Sequence, residues 1–321
     1  MTLDILPWQT SQWQNLQRRK DDCKLPHALL LTGIPGVGKL DFAEQFAHSL
    51  LCSDSQNACG NCKSCKLLQA GNHPDLLTIF SEDGKAIKVD VIRDVVKFVN
   101  YSAHIGKYKI IIIDSADKMN INAANALLKT LEEPSNNVLL ILVTNRLMAL
   151  PATVRSRCQI IPFAAPDEKV ALQWLRTQEV NIDSASLLLK FANGAPLKVI
   201  NFVEQDLLTF RNKIFQQFNE LLIGKLTLAS VSQEWQKLDL QQILFHLTSW
   251  VVDLIRLHSM QDVKLINFDF AVQLKKLTKK YDIKKLYKFY DDLISAQNLL
   301  HGPCNLNPQL MLEGLLINLI I

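Results

Sequence analysis

The first half of the chain alternates short apolar runs with longer segments of helical spacing. The apolar runs are bounded by polar or turn residues and lie at residues 28–32, 76–80, 110–113, 138–143 and 159–163. Segments such as 89–99 and 122–131 lie between them and repeat apolar residues every three or four positions. Because strands that alternate with helices form a parallel sheet covered on both faces, residues 1–165 are predicted to form an α/β domain with a parallel five-stranded sheet.

The pattern becomes purely helical after Pro166. Asp167 and Glu168 supply helix-start chemistry, and the turn at residues 194–196 ends a short helical segment. Apolar stripes with helical spacing then run through residues 207–221, 243–257, 286–300 and 310–319. The pattern predicts a small helical lid domain over residues 166–205 and an all-α domain over residues 206–321.

Composition supports a folded chain with more than one core. The chain has 321 residues, of which 21% are charged, and its mean hydropathy is +0.08. Residues 1–12 lack a basic segment followed by an apolar core, and no run approaches the ~20 apolar residues that cross a bilayer. We therefore expect a cytoplasmic protein with no membrane partner.

Charge alone does not indicate a nucleic-acid-binding protein. The net charge is +4 and the isoelectric point is about 8.6, below the value above about 9 that is typical of dedicated nucleic-acid-binding domains. Lysines at positions 275, 276, 279, 280, 284 and 285 are interpreted as a solvated helix face, with phosphate contact as the alternative.

A glycine-rich loop follows the first predicted strand. Residues 33–40 read Gly-Ile-Pro-Gly-Val-Gly-Lys-Leu and match the GxxxxGK pattern between a strand and a helix. In such a loop the backbone N–H groups surround phosphates, the helix N-terminus adds positive potential, and the lysine reaches the outer phosphates. The candidate nucleotide-binding residues are Gly33, Gly36, Gly38, Lys39 and Asp114.

Two positions of this pocket lack the groups that ATP hydrolysis requires. Leu40 stands where a Ser or Thr hydroxyl would bind Mg²⁺. Asp114 ends its strand as a metal-binding aspartate does, but Ser115 follows where a glutamate would activate water. Because general-base catalysis contributes ~10²–10⁴-fold, we expect little or no hydrolysis, although the loop could still hold ATP or ADP loosely.

Four of the seven cysteines lie within fourteen positions, at Cys52, Cys59, Cys62 and Cys65. Four thiolates at this spacing suit a tetrahedral Zn²⁺ with no open coordination position, so the sequence favours a structural zinc module at about residues 52–65. An iron–sulfur cluster and a set of reduced thiols are the alternatives. His73 is expected to have a structural role, since four thiolates already saturate a zinc ion.

Two arginines, Arg155 and Arg157, precede the fifth predicted strand. An arginine on a rigid turn can reach across a subunit boundary and stabilise charge on a neighbour's γ-phosphate. Taken alone, each arginine is more commonly a surface or ion-pairing residue.

Together these segments resemble the delta-prime family of bacterial DNA polymerase III clamp-loader subunits over most of the chain. Besides the four-cysteine module, the matching segments are residues 25–31 (LPHALLL), 73–75 (HPD), 89–93 (VDVIR), 125–134 (NALLKTLEEP) and 156–158 (SRC).

The resemblance implies roles for individual residues. Arg157 of Ser-Arg-Cys would be the arginine finger that completes the ATP site of an adjacent motor subunit, whereas Arg155 carries no such role. Thr144 or Asn145 would occupy the sensor-1 position, and Lys198 lies near the sensor-2 position.

The resemblance also implies an assembly. The helices of residues 206–321 would form an oligomerisation collar that joins gamma/tau and delta subunits in a hetero-pentamer. That complex would load the sliding clamp onto primed DNA. It is part of the DNA polymerase III holoenzyme, which is a DNA-directed DNA polymerase and hence a nucleotidyltransferase. Leu40 and Ser115 differ from the gamma/tau motors and agree with the stator, a subunit that does not hydrolyse ATP.

Two further hypotheses remain open at this point. The chain could be a gamma/tau-like motor that hydrolyses ATP, against which Leu40 and Ser115 argue. It could also be a standalone zinc-dependent nucleic-acid binder, which the modest net charge supports little.

Overall fold

The computed structural model describes residues 5–54, 58–81, 85–259, 263–300 and 307–320. The chain divides into two compact units, Met1–Ile200 and Asn201–Ile321. The finer boundary predicted at residue 165, between an α/β domain and a lid domain, stays a prediction.

A five-stranded parallel sheet forms the centre of the first unit, as predicted. The strands are β1 (Ala28–Gly33), β2 (Leu76–Ile79), β3 (Lys109–Ile113), β4 (Val138–Thr144) and β5 (Gln159–Phe163). Their spatial order is β2-β3-β4-β1-β5. The residues of β3 and β4 are buried throughout, and those of β1 are buried up to its last residue. The continuous apolar sequence of these three strands follows from burial on both faces of a parallel sheet.

Helices connect the strands and cover the sheet. The helices that begin in the first unit are α1 (Thr10–Asp21), α2 (Lys39–Leu51), α3 (Lys63–Gln69), α4 (Val89–Asn100), α5 (Ile121–Glu132), α6 (Ala152–Arg155), α7 (Glu168–Thr177), α8 (Ile182–Phe191) and α9 (Pro196–Glu204). Asn120 caps α5 by accepting a hydrogen bond from the Ala123 N–H, and Asp167 caps α7 through the Lys169 N–H. Such caps satisfy N–H groups that have no partner inside the helix, and the cap at Asp167 lies where the sequence predicts a helix start.

The second unit is helical throughout its described secondary structure. Its helices are α10 (Leu207–Leu222), α11 (Leu228–Trp235), α12 (Leu240–Ser259), α13 (Ala271–Thr278), α14 (Ile283–Leu300) and α15 (Pro308–Ile320), apart from one short 3₁₀ turn. The predicted apolar stripes pack into one core that contains Phe218, Trp235 and Trp250, all fully buried. Among the described residues, no helix is long and apolar enough to cross a membrane.

A network of polar residues lies within this helical core, and all of its members except the exposed Asp269 are buried. Arg211 is fully buried, and both of its terminal nitrogens donate to Asp269, at 2.6 and 2.9 Å. Arg211 also donates to Asn267 at 2.8 Å, and the Asn267 amide donates to Asp253 at 2.8 Å. A buried charge costs several kcal/mol unless it is paired. The network therefore favours the orientation of α10 that places Arg211 against Asp269 and Asn267.

His246 of α12 belongs to the same buried region. Its ring stacks on Trp250 with centroids 5.9 Å apart. Burial, assisted by repulsion from Arg211, lowers the pKa of His246 to about 3. The folded chain therefore holds this imidazole neutral at a pH where an unfolded chain would protonate it.

We expect His246 to make the second unit sensitive to acid. Since the folded pKa lies below the unfolded value near 6.5, its neutral form contributes stability that is present above pH 6.5 and is lost as the pH falls towards 3. Below pH 6.5 the free energy of unfolding of the wild-type chain should fall by about 1.4 kcal/mol per pH unit relative to His246→Phe. Urea unfolding followed by tryptophan fluorescence at pH 7, 6 and 5 measures this difference. Parallel pH curves for the two chains would contradict the assignment.

Candidate functional site

The predicted nucleotide-binding residues meet at one edge of the sheet. The glycine loop follows β1, Asp114 follows β3, and Asn145 follows β4. Because all five strands are parallel, these three positions lie at the carboxyl edge, where ligands of such sheets bind. The sequence-predicted pocket is thus assembled as a P-loop scaffold.

The ammonium group of Lys39 is bonded to its own loop. It donates to the carbonyl oxygens of Gly33 at 2.8 Å and Ile34 at 2.7 Å, and to Asn145 Oδ1 at 2.8 Å. An ammonium group has three donors, so these bonds use all of them. Burial lowers the pKa of Lys39 to about 8, although the charges of Asp114 and Asp117 act to raise it. In this arrangement the lysine has no donor left for a phosphate.

The start of α9 packs directly on the glycine loop. The Leu197 N–H donates to the Gly36 carbonyl at 3.1 Å. A Cβ atom at Gly36, whose φ is +83°, would lie 2.8 Å from the Lys198 Cβ and 3.0 Å from its backbone nitrogen. Gly36 is therefore required for close contact with another part of the chain, in addition to the left-handed backbone.

The residues before α1 contact the loop from another direction. Trp8 Nε1 and Gln9 Nε2 donate to the Val37 carbonyl at 3.0 and 2.9 Å, and Gln9 also donates to the Gly38 carbonyl at 2.7 Å. These contacts span nearly thirty positions of the sequence, and the motif itself gives no signal of them.

The residues that replace the hydrolytic groups do not supply equivalents. Leu40 is half-buried and has no ligating atom. The Ser115 hydroxyl donates to Asp114 Oδ2 at 3.1 Å, which places a hydrogen-bond donor beside the carboxylate that would hold a metal-bound water. The carboxyl edge therefore lacks a described group in the position of a general base.

Asp117 was missed by the sequence analysis, yet it organises the end of β4. It accepts hydrogen bonds from the Thr144 hydroxyl at 2.8 Å and from Arg146 Nε at 3.2 Å. Burial raises the pKa of Asp117, but these bonds outweigh it and the net pKa lies below the usual value. The aspartate fixes Thr144 and Asn145, the predicted sensor-1 residues, in place. A carboxylate three residues after Asp114 was its only signal in the sequence.

The four predicted metal ligands come together. The Sγ atoms of Cys52, Cys59, Cys62 and Cys65 all lie within 4.8 Å of one another, with Cys59 and Cys65 3.9 Å apart. Zn–S bonds of 2.3 Å in a tetrahedron separate sulfurs by about 3.8 Å, so the cluster has the size that zinc requires. The Cys62 and Cys65 N–H groups donate to the sulfurs of Cys59 and Cys62 at 3.4 and 3.3 Å, which favours thiolates.

The four sulfurs of the cluster form a donor set that suits a cation. Burial raises the pKa of the Cys65 thiol to about 12, whereas hydrogen bonds from Ser53 and from the Cys65 N–H lower the pKa of Cys62 to about 6. Since metal ligation requires the thiolate, a divalent cation is the partner that fits the four sulfurs. The donor set can hold a structural metal, and its residues leave no position for a substrate.

His73 ties the cysteine module to the sheet and lies outside the ligand cluster. Its Nδ1 accepts from the Asp75 N–H at 3.1 Å, so Nε2 carries the proton that it donates to the Ser64 hydroxyl at 2.9 Å. Ser64 in turn donates to the Leu51 carbonyl at 2.6 Å. The chain of hydrogen bonds connects α3 to the end of α2 and to the residue before β2, which is a structural role.

Arg157 lies at the opposite, amino-terminal edge of the sheet. It precedes β5, whose first residue, Gln159, pairs with Leu29 near the start of β1. Its guanidinium is 2.7 Å from Glu132 Oε1 at the end of α5 and donates to the Thr153 carbonyl at 2.9 Å. About a third of its side chain is exposed (35%). Arg155 instead contacts the Met148 sulfur at 2.9 Å.

A solved structure with the same kind of fold places this chain in a class. A DNA polymerase III gamma subunit-related protein from Thermotoga maritima is 18% identical, with a TM-score of 0.51 over 96% of this chain and 98% of its own. Together with the strand order and the glycine loop, this likeness shows a P-loop fold of the AAA+ type with an added helical unit.

Two family models match nearly the whole chain: "DNA polymerase III, delta subunit" over residues 8–167 and its C-terminal counterpart over residues 205–320. The delta-prime subunit of Pseudomonas aeruginosa is 32% identical over 98% of this chain and 97% of its own length. The chain therefore belongs to the family of delta-prime subunits of bacterial DNA polymerase III. The delta-prime subunit of Escherichia coli is 29% identical over 98% of this chain and 94% of its own length.

We expect the purified chain to contain about one zinc ion per molecule, because the four sulfurs form a complete tetrahedral site. Cys62→Ser should lose the metal and lower the thermal stability of the first unit, whereas Cys23→Ser, at an exposed cysteine outside the cluster, should change neither. Elemental analysis and thermal denaturation measure both effects. Iron with visible absorption, or a metal-free wild-type chain of unchanged stability, would contradict the zinc assignment.

Proposed function

We propose that this chain is the stator of a clamp loader, a subunit that hydrolyses little or no ATP and lends Arg157 to the ATP site of a neighbouring motor subunit. The observation that carries the proposal is the location of Arg157 at the edge of the sheet opposite to the chain's own glycine loop. Three features support it.

The first supporting feature is the set of contacts in the chain's own nucleotide pocket. All three donors of Lys39 are bonded within the chain, and α9 contacts the loop at Gly36. Leu40 and Ser115 provide neither the metal-binding hydroxyl nor the base. A motor would need all of these groups at its phosphates, so the pocket favours a stator over a gamma/tau-like ATPase. Any ATP or ADP would bind weakly here, because Lys39 must first give up three hydrogen bonds.

The second supporting feature is the parallel direction of the strands in the sheet. A five-residue strand such as β5 spans roughly 16 Å, so Arg157 is at least that far from the carboxyl edge. An arginine side chain cannot cover this distance. If Arg157 stabilises a γ-phosphate, that phosphate must belong to another subunit.

The third supporting feature is the ion pair and the hydrogen bond that Arg157 forms with neighbouring residues. The Glu132 carboxylate and the Thr153 carbonyl hold the guanidinium on the rigid turn between α6 and β5, with part of the group exposed. A pre-positioned cation loses less conformational entropy when it meets a phosphate. Glu132 therefore acts as a positioning residue for Arg157.

In this proposal the helical second unit is the collar that joins the chain to gamma/tau and delta subunits in a hetero-pentamer. The assembly would open the sliding clamp and place it on primed DNA, in the cytoplasm. A gamma/tau subunit of Haemophilus influenzae is 37% identical over 54% of this chain, which suits a shared ATPase-like fold. The zinc module is structural: it braces α2, the helix that follows the glycine loop.

Arg157→Ala should slow DNA-stimulated ATP turnover by a reconstituted loader. An arginine finger contributes about 10³-fold or more to turnover at its site, so the rate should fall by at least the share of the adjacent motor site. Steady-state ATPase assays of the assembled complex measure the rate. Arg155→Ala is the matched control and should leave the rate near that of the wild type, with assembly of both variants verified by gel filtration. Unchanged turnover with Arg157→Ala would refute the finger assignment.

The isolated chain should show no ATP turnover above background in the presence of Mg²⁺. Lys39→Ala, measured in parallel, should leave that background unchanged, since Lys39 contacts only protein groups. Even 1 mM ATP should raise the free energy of unfolding by no more than about 0.4 kcal/mol if the dissociation constant is 1 mM or weaker. Phosphate release at the rate of a motor, lost in Lys39→Ala, would establish the gamma/tau-like alternative instead.

A further inference from the structure

The turn between α13 and α14 carries a dense group of lysines. Seven lysines and one acidic residue, Asp282, occur between positions 275 and 288. The lysines are Lys275, Lys276, Lys279, Lys280, Lys284, Lys285 and Lys288, which we call the lysine corner. Leu274 and Leu277 of α13 and Leu286 and Phe289 of α14 are buried in one core, so the two helices are fixed beside their common turn.

The charges of the lysine corner are not neutralised within the chain. Six of its seven lysines are exposed, and Lys285 is half-buried over the Tyr281 ring at 5.8 Å. Among the described residues, none of the seven forms an ion pair with a carboxylate. The next acidic residues along α14, Asp291 and Asp292, follow Lys288 by about one turn. The group repels itself, and that cost would be relieved by a bound anion.

The position of Lys284 and Lys285 in their helix increases this cost. They lie in the first turn of α14, which contains no acidic residue. The amino end of a helix carries partial positive charge, so it favours anions and disfavours lysines. Helix stability therefore does not account for these two residues. A solvated helix face, the interpretation favoured from the sequence, explains exposure but leaves their placement unexplained.

An exposed aromatic ring lies among the lysines. Tyr287 is 51% exposed, between Lys284 and Lys288 on the outer face of α14. The inner face of the helix is formed by Leu286, Phe289 and Leu293. A ring in this position can stack on an unpaired base while the flanking ammonium groups contact phosphates. An acidic protein segment would also satisfy the lysines, but the ring beside them adds a stacking surface that suits an unpaired base.

We propose that the lysine corner is a binding site for single-stranded DNA, with the lysines on phosphates and Tyr287 stacked on a base. The site belongs to the helical second unit and is distinct from the glycine loop, the zinc module and Arg157. It does not depend on the proposed stator role, because the isolated chain can be tested. The lysines are clustered at one corner, so the modest net charge of the whole chain does not argue against a local site.

The test measures fluorescence anisotropy of labelled (dT)20 with the full chain at several NaCl concentrations. A variant in which Lys279, Lys280, Lys284 and Lys288 are all replaced by Gln should bind at least ten-fold more weakly at low salt. The slope of log K against log [NaCl] should become shallower by about 3, since each phosphate contact with a single strand contributes about 0.7. A matched control with Lys24→Gln, Lys107→Gln, Lys169→Gln and Lys225→Gln, four exposed lysines elsewhere, has the same net charge and should lose less than about two-fold.

Tyr287→Ala should weaken binding of (dT)20 by about five-fold or more, and Tyr287→Phe should not, because stacking needs only the ring. Equal losses in the two lysine variants would overturn the site and leave only general electrostatic attraction. Equal binding of a DNA duplex, or of a poly-glutamate peptide of the same length, would overturn the assignment to a single strand. Binding that is insensitive to Tyr287→Ala would do the same.

Discussion

All five strands of the sheet run in one direction, so the glycine loop and Arg157 lie at opposite edges of the sheet. Loops that leave the carboxyl edge can form a nucleotide pocket, as residues 33–40, Asp114 and Asn145 do here. Residues that precede the strands at the amino edge, such as Arg157, lie a full strand length from that pocket. Because register and buried strands fix this geometry, no side-chain rearrangement can bring Arg157 to its own glycine loop.

The glycine loop keeps its shape for a structural reason. Its lysine satisfies the carbonyl oxygens of Gly33 and Ile34, and its glycine at position 36 admits α9 at a distance that no other residue would allow. Gln9 satisfies carbonyl groups on the other side. The loop thus connects elements of the first unit through contacts that involve no phosphate. Such contacts need the glycines and the lysine of the motif but no metal-binding hydroxyl or general base, the groups that Leu40 and Ser115 replace.

Much of this architecture could be predicted from the sequence, because it rests on local signals. The five apolar runs became strands whose ends differ from the prediction by at most one residue, and the cysteine spacing brought four sulfurs together. Contacts between distant parts of the chain could not be predicted. The bonds of Trp8 and Gln9 to the loop, and of Asp117 to Thr144, depend on three-dimensional packing that periodicity does not encode. The hydrogen bonds of Lys39 to its own loop could not be predicted either, because the GxxxxGK motif predicts a lysine that contacts phosphates.

In the proposed role, this chain contributes to catalysis at a neighbour's phosphate and not at its own. A structure of the assembled loader with a Mg²⁺–ATP transition-state analogue measures this directly, through the distance from each phosphate to the Arg157 guanidinium and to the Lys39 ammonium. The account predicts hydrogen-bond contact between Arg157 and the γ-phosphate analogue of an adjacent subunit, with Lys39 still bonded to Gly33 and Ile34. An analogue seated in the loop of residues 33–40, with Lys39 on its phosphates and Arg157 distant from any nucleotide, would contradict it.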